Sequence, residues 1–368
     1  MVGILGARQV GKTTLARQVA EKAGVSVHWF DLEDPEDLGA LQEAKLTLAP
    51  LKGLVVLDEI QRRPNLFPLL RVLADRPDSK TRFLVLGSAS PLLLRQSSES
   101  LAGRIRFHYL EGFHIDEIPP ADEGALWLRG GFPRSFLADS DEESLRWRRD
   151  FMRTYLERDL GEFGFRVPAE TLHRFWSMLA HFHAQILNRS ELARSLAVSE
   201  PAVRRYVDLL EDTFMVRQLP PWHENLSKRQ VRSPKIYFRD SGLLHGLLGI
   251  PSPEALARHP KVGASWEGFA LENALSLFHA ETGEAYFWAT HQGAELDLLL
   301  VRGEQRVGLE FKRTASPSFT PSMRHALAEL KLEKLFVVHP GDRAYPLAEK
   351  VRAVPLDRLS KEPEFSGP

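Results

Sequence analysis

Short apolar runs alternate with helical segments over residues 1–120. The runs Val2–Leu5, Leu54–Leu57 and Phe83–Leu86 each end at a polar residue or a glycine. Continuous apolar runs of this length are typical of strands that are buried on both faces of a parallel sheet. The segments Lys12–Ala23 and Asn65–Ala74, which lie between the runs, have helical periodicity. The pattern therefore predicts an α/β fold for this part of the chain.

The pattern changes after residue 140, where we expect only helices until residue 214. The predicted helices are Leu145–Leu160, Ala169–His183, Ser190–Leu196 and Glu200–Glu211, and Phe214–Leu219 follows as an extended segment. The last part returns to mixed α/β, with a helix over Trp266–His279 and strands over Ala285–Ala289, Glu295–Val301, Gln305–Phe311 and Leu335–Val338. These shifts predict three domains, at 1–125, 126–225 and 226–368.

The amino-acid composition excludes several kinds of functional site. The 368 residues include 48 Lys and Arg, 49 Asp and Glu, and no Cys. A disulfide framework, a zinc ribbon, an iron–sulfur cluster and a cysteine nucleophile are thereby excluded. The sequence has no apolar run of about 18 residues and no signal-peptide pattern, so we expect a cytoplasmic protein without membrane contact. Residues 185–240 carry ten basic and seven acidic residues, so contact with nucleic acid is expected there.

A phosphate-binding motif follows the first apolar run. Residues 6–13 read Gly-Ala-Arg-Gln-Val-Gly-Lys-Thr and fit the pattern G-x-x-x-x-G-K-[ST] between a strand and a helix. Backbone N–H groups of such a loop wrap a phosphate at a helix N-terminus. Lys12 would reach the β- and γ-phosphates of ATP, and Thr13 would coordinate Mg²⁺. The alternative is a chance glycine-rich turn. The predicted ATP-binding residues are Gly6, Arg8, Gln9, Val10, Gly11, Lys12, Thr13 and Thr14.

Polar residues also follow the next two predicted strands. Asp58 is a predicted Mg²⁺ ligand and Glu59 is predicted to polarise the attacking water, although two acids here also fit a helix start. Ser88 is predicted to contact the γ-phosphate or the water, unless it is a plain turn serine. Arg104 would stabilise transition-state charge in cis or from a neighbouring subunit, or it is a solvated surface arginine.

The middle of the chain has a helix–turn–helix rhythm over residues 190–210, and Phe214–Leu219 would supply the strand of a wing. The second helix would present Arg204 and Arg205 outward, as a DNA-reading helix does. Such modules also serve as lids or protein contacts. The stretch Lys228–Arg239 has five basic and two aromatic residues in twelve positions. It would either follow a phosphate backbone, with rings for stacking, or form a solvated edge strand.

Four polar positions in the C-terminal part interrupt apolar surroundings. Glu267 lies in the predicted helix, Asp297 lies in one strand, and Glu310 and Lys312 share a face at the end of the next. If the two strands form a hairpin, Asp297 joins them in the arrangement of D…E-x-K metal-dependent nucleases. Glu267, Asp297 and Glu310 are the predicted metal ligands, and Asp297, Glu310 and Lys312 the predicted catalytic groups. The alternative is a nuclease-like fold that serves only binding or oligomerisation.

Matching stretches along nearly the whole chain resemble one prokaryotic family, the P-loop ATPases of the AAA+ superfamily that are fused to a C-terminal domain of unknown function. The stretches are Gly6–Leu15, Leu54–Glu59, Leu86–Ser90, Ser100–Arg104, Gly130–Pro133, Tyr155–Leu160, Ser233–Leu243, Trp266–Phe269, Gly293–Leu300 and Glu310–Lys312. The resemblance implies an AAA-type ATPase core, a winged helix and a restriction-endonuclease-like C-terminal domain. It also implies ATP, Mg²⁺ and a ring or other homo-oligomer.

The resemblance carries the ATPase roles over to Lys12, Thr13, Asp58 and Glu59, with Ser88 and Arg104 beside them, and it carries the nuclease-like positions over to Glu267, Asp297, Glu310 and Lys312. The chain departs from the family at its start. It begins only five residues before Gly6, whereas in many such ATPases residues upstream of this strand contact the adenine base. Either this protein is a short version, or its start lies further upstream.

Three functions fit these features. The first is an ATP-driven motor that binds and remodels DNA, branched DNA in repair or recombination included. The second adds Mg²⁺-dependent nuclease activity. The third is a nucleotide-gated signalling or defence switch whose C-terminal domain binds a protein partner, for which the basic stretch Lys228–Arg239 is not needed.

Overall fold

The computed structural model describes residues 1–77, 80–88, 101–159, 167–223, 232–281, 283–290 and 293–362. The chain divides into two compact units. The first unit comprises Met1–Gly112 and Leu209–Met215, and the second comprises Phe113–Asp208 and Val216–Pro368. No helix of the described residues is long and apolar enough to cross a membrane.

The first unit is built on a parallel five-stranded sheet with the order β2-β3-β4-β1-β5. Its strands are β1 Val2–Gly6, β2 Val27–Asp31, β3 Gly53–Asp58, β4 Thr81–Ser88 and β5 Arg106–Tyr109. Its helices are α1 Lys12–Lys22, α2 Pro35–Ala40, α3 Ala44–Leu48 and α4 Phe67–Ala74. The three predicted strands are confirmed as β1, β3 and β4. The pattern did not predict β2 and β5, because no residue of either strand is buried.

The order of the strands brings three carboxyl ends together. Strand β4 lies between β1 and β3, and Gly6 pairs with Ser88 in the parallel register. Side chains of β1, β3 and β4 alternate between two hydrophobic clusters, so each strand is buried on both faces. At the end of β1, a Cβ atom on Gly6 would lie 2.2 Å from the carbonyl oxygen of Leu110. Only glycine fits this close approach, which fixes where the loop after β1 begins.

The middle of the chain, mostly in the second unit, contains helices and a small antiparallel sheet with the order β6-β8-β7. The helices are α5 Glu123–Arg129, α6 Pro133–Phe136, α7 Asp141–Thr154, α8 Ala169–His181, α9 Arg189–Leu196, α10 Glu200–Asp212, α11 Ser241–Leu247 and α12 Pro253–Arg258. The strands are β6 Gln185–Ile186, β7 Val216–Leu219 and β8 Lys235–Phe238. The predicted helices are confirmed, the first ending earlier as an α-helix and continuing as a π-helical segment over Tyr155–Asp159.

The expectation of only helices before residue 214 was wrong for β6. This strand has two residues, and both are exposed, so it has no run of apolar residues that a sequence pattern could reveal.

The C-terminal part of the second unit is a six-stranded mixed sheet with the order β13-β14-β12-β11-β10-β9. Its elements are α13 Val262–Leu277, β9 Ala285–Ala289, β10 Glu295–Arg302, β11 Gln305–Phe311, α14 Pro321–Glu329, β12 Lys334–His339, β13 Tyr345–Ala348 and β14 Val351–Pro355. Strands β10 and β11 form the expected antiparallel hairpin. Helix α13 packs on one face of the sheet and α14 on the other, so this sheet also has two buried faces.

Candidate functional sites

The loop after β1 curls around the lysine of the phosphate-binding motif. Gln9 and Gly11 have positive φ angles of 66° and 102°, which turn the backbone into the start of α1. The Lys12 ammonium donates hydrogen bonds to the carbonyl oxygens of Gly6, at 3.2 Å, and Ala7, at 2.8 Å. Only 5% of Lys12 is exposed. The side chain of Lys12 is therefore held inside the loop.

Thr13, in the first turn of α1, is hydrogen-bonded to Asp58, at the end of β3. The Thr13 hydroxyl donates a hydrogen bond of 2.8 Å to Asp58 Oδ2, and Asp58 Oδ1 accepts one of 3.0 Å from the Glu59 backbone N–H. A hydroxyl oxygen and a carboxylate oxygen at this spacing are the kind of ligands that Mg²⁺ uses in P-loop proteins. The two predicted Mg²⁺ ligands are thus in direct contact.

Burial shifts the protonation of these groups. Burial lowers the pKa of Lys12 to about 8, although the carboxylates of Glu59 and Asp58 act in the opposite direction. Burial also raises the pKa values of Asp58 and Glu59. Both effects are expected where charged groups are removed from water without a full set of counter-charges. Two acids and a lysine with such shifts beside a phosphate loop are typical of a functional site.

Glu59 and Ser88 complete the strand ends. Glu59 has a positive φ of 55°, and its Oε2 accepts a hydrogen bond from the Gln61 side chain. Ser88 is 4% exposed, and its hydroxyl has no hydrogen-bond partner among the described residues. The hydroxyl of Ser88 is the kind of orphaned buried group that a phosphate oxygen or a water satisfies. The sequence reasoning missed Gln61, although it stands only two residues after Glu59.

The arginines of the first unit differ in their surroundings. Arg8, in the loop, and Arg62 both approach Glu33 Oε1, at 3.7 and 2.7 Å. Arg104 forms an ion pair of 2.7 Å with Asp75, and 42% of its side chain is exposed. Arg104 therefore lies at the surface of its own unit, and its predicted role in catalysis stays a prediction.

The C-terminal site lies where β10, β11, α13 and β8 meet. Asp297 Oδ2 accepts a hydrogen bond of 2.9 Å from the Phe311 backbone N–H, and Lys312 donates one of 2.7 Å to Glu310 Oε1. Glu310 Oε2 is buried without a hydrogen-bond partner among the described residues. On α13, Glu267 Oε1 accepts a hydrogen bond of 2.7 Å from the Tyr237 hydroxyl. The predicted hairpin thus brings Asp297, Glu310 and Lys312 together.

Lys235 was missed by the sequence reasoning. Its ammonium contacts Glu295 and lies 3.4 Å from Glu267 Oε1 and 3.7 Å from Asp297 Oδ1. Burial disfavours its charge, but these carboxylates raise the pKa of Lys235 above its usual range. The signal in the sequence was weak, because a lysine before Ile-Tyr-Phe is as typical of an exposed edge as of a buried strand.

The acids of this site are shifted toward their neutral forms. Burial, and then the charge of Asp297, raise the pKa of Glu310 to about 8 and that of Glu267 to about 7. In the described part of the chain, no group of three or more His, Asp or Glu side chains is arranged to hold a metal ion. The predicted ligand set of Glu267, Asp297 and Glu310 therefore stays a prediction, and only its carboxylate chemistry fits a divalent cation.

The basic stretch Lys228–Arg239 is corrected where the structure describes it. Strand β8 is the central strand of its sheet, and all four of its residues are buried. Lys235 turns toward acids, and Arg239 Nε lies 3.6 Å from the buried Glu272. The residues of β8 therefore form neither the solvated edge strand nor the surface for base stacking that the sequence predicted. Lys228 and Arg229 lie outside the described residues.

The helix–turn–helix segment does expose its arginines. Leu192 and Leu196 on α9 are buried, as are Val203 and Val207 on α10, which confirms the two predicted apolar faces. Arg204 and Arg205 are exposed. Arg204 lies 3.6 Å from Asp208 and has 71% of its side chain exposed. Two arginines are therefore accessible on α10, where Arg204 has the acidic Glu200 and Asp208 one turn away on either side.

Comparison with known proteins identifies the class of the first unit. Residues 1–119 match the family described as AAA domain. Residues 122–254 and 262–359 match two domains of unknown function, DUF8612 and DUF4143. The phosphate loop and the Thr13–Asp58 pair therefore lie in an AAA-type ATPase domain.

Relatives extend the match over nearly the whole chain. The chain is 50% identical over 359 residues to Rv2008c of Mycobacterium tuberculosis and to Mb2031c of Mycobacterium bovis, an alignment that covers 98% of this chain and 80% of each relative. The chain belongs to the family of these mycobacterial proteins. Among solved structures, the Holliday junction branch migration motor RuvB of Thermotoga maritima is 19% identical, with a TM-score of 0.28 over 60% of this chain and 82% of RuvB.

Proposed function

We propose that the chain is a Mg²⁺-dependent ATPase that uses ATP hydrolysis to bind and remodel DNA, including branched DNA in repair or recombination. The observation that carries the ATPase is the direct contact between Thr13 and Asp58 beside the enclosed ammonium of Lys12. A hydroxyl, a carboxylate and an ammonium converge there from the end of one strand and the start of one helix. This is the donor set that MgATP requires.

The residues present fit MgATP. Thr13 and Asp58 would hold Mg²⁺, which neutralises charge on the phosphates. Lys12 would exchange its two carbonyl partners for phosphate oxygens, and the backbone N–H groups of the loop would hold the other oxygens. Glu59 would orient and polarise the attacking water, with Gln61 holding one of its oxygens in place. The hydroxyl of Ser88, which has no hydrogen-bond partner among the residues that the structure describes, would bind the γ-phosphate or that water.

DNA would be held by the helix–turn–helix segment, which we assign to a winged helix with β6, β7 and β8 as its sheet. The exposed Arg204 and Arg205 support this assignment, because arginines on such a helix bind phosphates or bases. A ring or other homo-oligomer is part of the proposal, since the surface position of Arg104 suits a role at the ATP site of a neighbouring subunit. We propose that the protein works in the cytoplasm.

The test compares ATP turnover and DNA binding in two double variants. We expect duplex and branched DNA to stimulate wild-type turnover, and Arg204→Ala/Arg205→Ala to weaken DNA binding and to lower the slope of log affinity against log salt by about 2. The matched control is Arg146→Ala/Arg153→Ala on α7, whose side chains are similarly exposed, at 67% and 68%. Fluorescence anisotropy over a series of salt concentrations measures the binding.

If no form of DNA stimulates ATP turnover by the wild type, and if the wild type binds no DNA at low salt, the proposal of a DNA-remodelling motor is wrong. A slow, DNA-independent ATPase that copurifies with a stable protein partner would instead favour the nucleotide-gated switch.

A second candidate function is Mg²⁺-dependent cleavage of nucleic acid by the C-terminal domain, for which we propose a restriction-endonuclease-like fold. The observation that favours it is the buried Glu310 Oε2, which has no hydrogen-bond partner among the described residues, while Lys312 binds the other oxygen of the same carboxyl group. Asp297 and Glu310 would hold Mg²⁺, with Glu267 as a further ligand, and Lys312 would orient water or stabilise charge on the phosphate.

We expect Lys312→Met to lower cleavage of DNA or RNA by about 10²-fold or more, the usual cost of removing a group that stabilises transition-state charge. Lys350→Met, at an exposed lysine of the same domain, should leave cleavage unchanged. Gel assays with Mg²⁺ or Mn²⁺ measure both variants. If the wild type cuts no substrate, or if Lys312→Met cuts equally well, this candidate is withdrawn.

A further inference from the structure

We propose that Lys235 is a built-in cation that occupies the acidic C-terminal site, and that a divalent metal ion binds there only by displacing its ammonium from Asp297. The inference rests on the second candidate function, because it concerns regulation of the same site. It assigns a role to a side chain of β8, a strand that lies outside the C-terminal sheet.

The oxygen atoms of the site show what the lysine blocks. Asp297 Oδ2 is taken by the Phe311 backbone N–H, and Asp297 Oδ1 faces the Lys235 ammonium at 3.7 Å. Glu310 Oε1 accepts a hydrogen bond from Lys312, and Glu310 Oε2 has no partner within the part of the chain that the structure describes. A metal ion that binds Glu310 Oε2 needs a second carboxylate oxygen, and at Asp297 Oδ1 the positive charge of the Lys235 ammonium, 3.7 Å away, opposes it.

Strand β8 holds the lysine firmly in this position. The side chain of Lys235 is only 4% exposed, and β8 is paired on both sides, with β6 and β7. Two residues later on the same face, the Tyr237 hydroxyl binds the same Glu267 oxygen that the ammonium approaches. The strand therefore binds Glu267 on the side of the lysine, and within the described chain no three acids are arranged around a common metal position.

Charge and access both favour exchange with a divalent ion. Four acids, Glu267, Glu295, Asp297 and Glu310, share two lysines here, so the site has two more carboxyl groups than ammonium groups. A divalent ion supplies two charges and prefers several carboxylate oxygens. Glu295 and Lys312 have 44% and 39% of their side chains exposed, so an ion reaches the site from solvent. After exchange, the ammonium keeps Glu295 and Glu267 as partners and does not have to leave the interior unpaired.

The experiment measures Mn²⁺ binding to the full chain without nucleotide, by calorimetric titration and by the loss of the free Mn²⁺ resonance signal. We expect Lys235→Met to bind Mn²⁺ about tenfold or more tightly than the wild type, because a competing positive charge is gone. The double variant Lys235→Met/Asp297→Asn should lose this gain. The double variant retains Thr13 and Asp58, so the difference in Mn²⁺ binding between the single and the double variant excludes any Mn²⁺ that binds in the first unit.

Stability supplies a second readout that does not depend on catalysis. Lys235→Met removes the ammonium that lies 3.4 Å from Glu267 and 3.7 Å from Asp297 and leaves Lys312 as the remaining cation of the site, so its unfolding temperature should be lower than that of the wild type, and Mn²⁺ should restore it. If the methionine variant does not fold, Lys235→Gln, which keeps a hydrogen-bond donor, takes its place in both measurements.

Mn²⁺ binding by the variant that equals or falls below the wild-type affinity overturns the proposal, and so does a failure of Mn²⁺ to raise its unfolding temperature. Tight Mn²⁺ binding by Lys235→Met without cleavage of any nucleic acid by either protein supports the role of Lys235 and removes the nuclease alone.

Discussion

Replacing Lys12 with methionine should lower ATP turnover by about 10²–10³-fold, the usual cost of removing one group that stabilises transition-state charge. The lysine is enclosed by its own loop and bound to the carbonyl oxygens of Gly6 and Ala7. Its charge is therefore positioned for phosphate before any nucleotide binds. Methionine has nearly the same length and no charge, so it fills the same space but removes the charge that would bind phosphate, together with the hydrogen bonds to Gly6 and Ala7.

The fold should survive this change. Burial lowers the pKa of Lys12 to about 8, which shows that the folded protein holds this ammonium at a cost. An apolar side chain of similar volume removes that cost but leaves the buried carboxylates of Glu59 and Asp58 without this counter-charge, so the two effects oppose each other and the urea midpoint of Lys12→Met should stay close to that of the wild type. Steady-state turnover and urea unfolding, measured on the same preparation, separate the chemical role from the structural one.

The matched control is Lys22→Met, at the exposed last turn of the same helix. It should leave both turnover and the urea midpoint unchanged. A Lys12→Met variant that hydrolyses ATP at the wild-type rate would contradict the assignment of the site. If Lys12→Met loses turnover and is also unfolded, the loss is structural, and it does not support the proposed interaction of the lysine charge with phosphate.

The sequence pattern predicted strands where burial is continuous and failed where it is not. Strands β1, β3 and β4 are runs of apolar residues because both of their faces are covered. Strands β2 and β5 lie at the two edges of the sheet, where partly exposed positions accept polar side chains such as His28 and Arg106. Polar residues interrupt the apolar ones in both of these strands, so neither strand stands out as a continuous apolar run.

The same reasoning separates the two candidate sites. The phosphate loop is contiguous, and Asp58 and Ser88 follow apolar runs, so parallel strand order alone brings them together. Lys235 lies 32 residues from Glu267 and 62 from Asp297 in the sequence. Its pairing depends on how β8 packs against the C-terminal elements, which no local pattern encodes. Its neighbours in the sequence are basic, and this favoured the interpretation as an exposed stretch that the structure corrects.

Two of the stretches that resemble the ATPase family, Gly130–Pro133 and Ser233–Leu243, contact each other in the structure. The Asp240 carboxylate accepts hydrogen bonds of 2.7 Å from the backbone N–H of Gly131 and of 2.7 Å from that of Leu243. The second bond caps the N-terminus of α11. The buried Arg148 donates a hydrogen bond of 2.8 Å to the Gly242 carbonyl. The segments around Gly131 and Gly242 are thus fixed against each other, which assigns them to the stability of the second unit.

Gly242→Ala should destabilise the second unit by about 3 kcal/mol, the upper end of the usual cost of overpacking. A Cβ atom at this position would lie 2.0 Å from the carbonyl oxygen of Arg129 and 2.7 Å from the backbone nitrogen of Gly130. Both obstacles are backbone atoms, so no side-chain rotation relieves them. The helix must move away, which lengthens the hydrogen bonds that Asp240 and Arg148 make.

Gly246→Ala on the same helix is the matched control. Its Cβ atom would first meet the flexible end of the Met152 side chain, at 2.9 Å, and alanine favours the helix by about 1 kcal/mol over glycine. We therefore expect a change within about 1 kcal/mol of zero. Urea unfolding followed by tryptophan fluorescence measures both variants, and all tryptophans except Trp29 lie in the second unit. If Gly242→Ala is as stable as Gly246→Ala, the contact yields easily, and its two glycine-containing stretches need an explanation other than close packing.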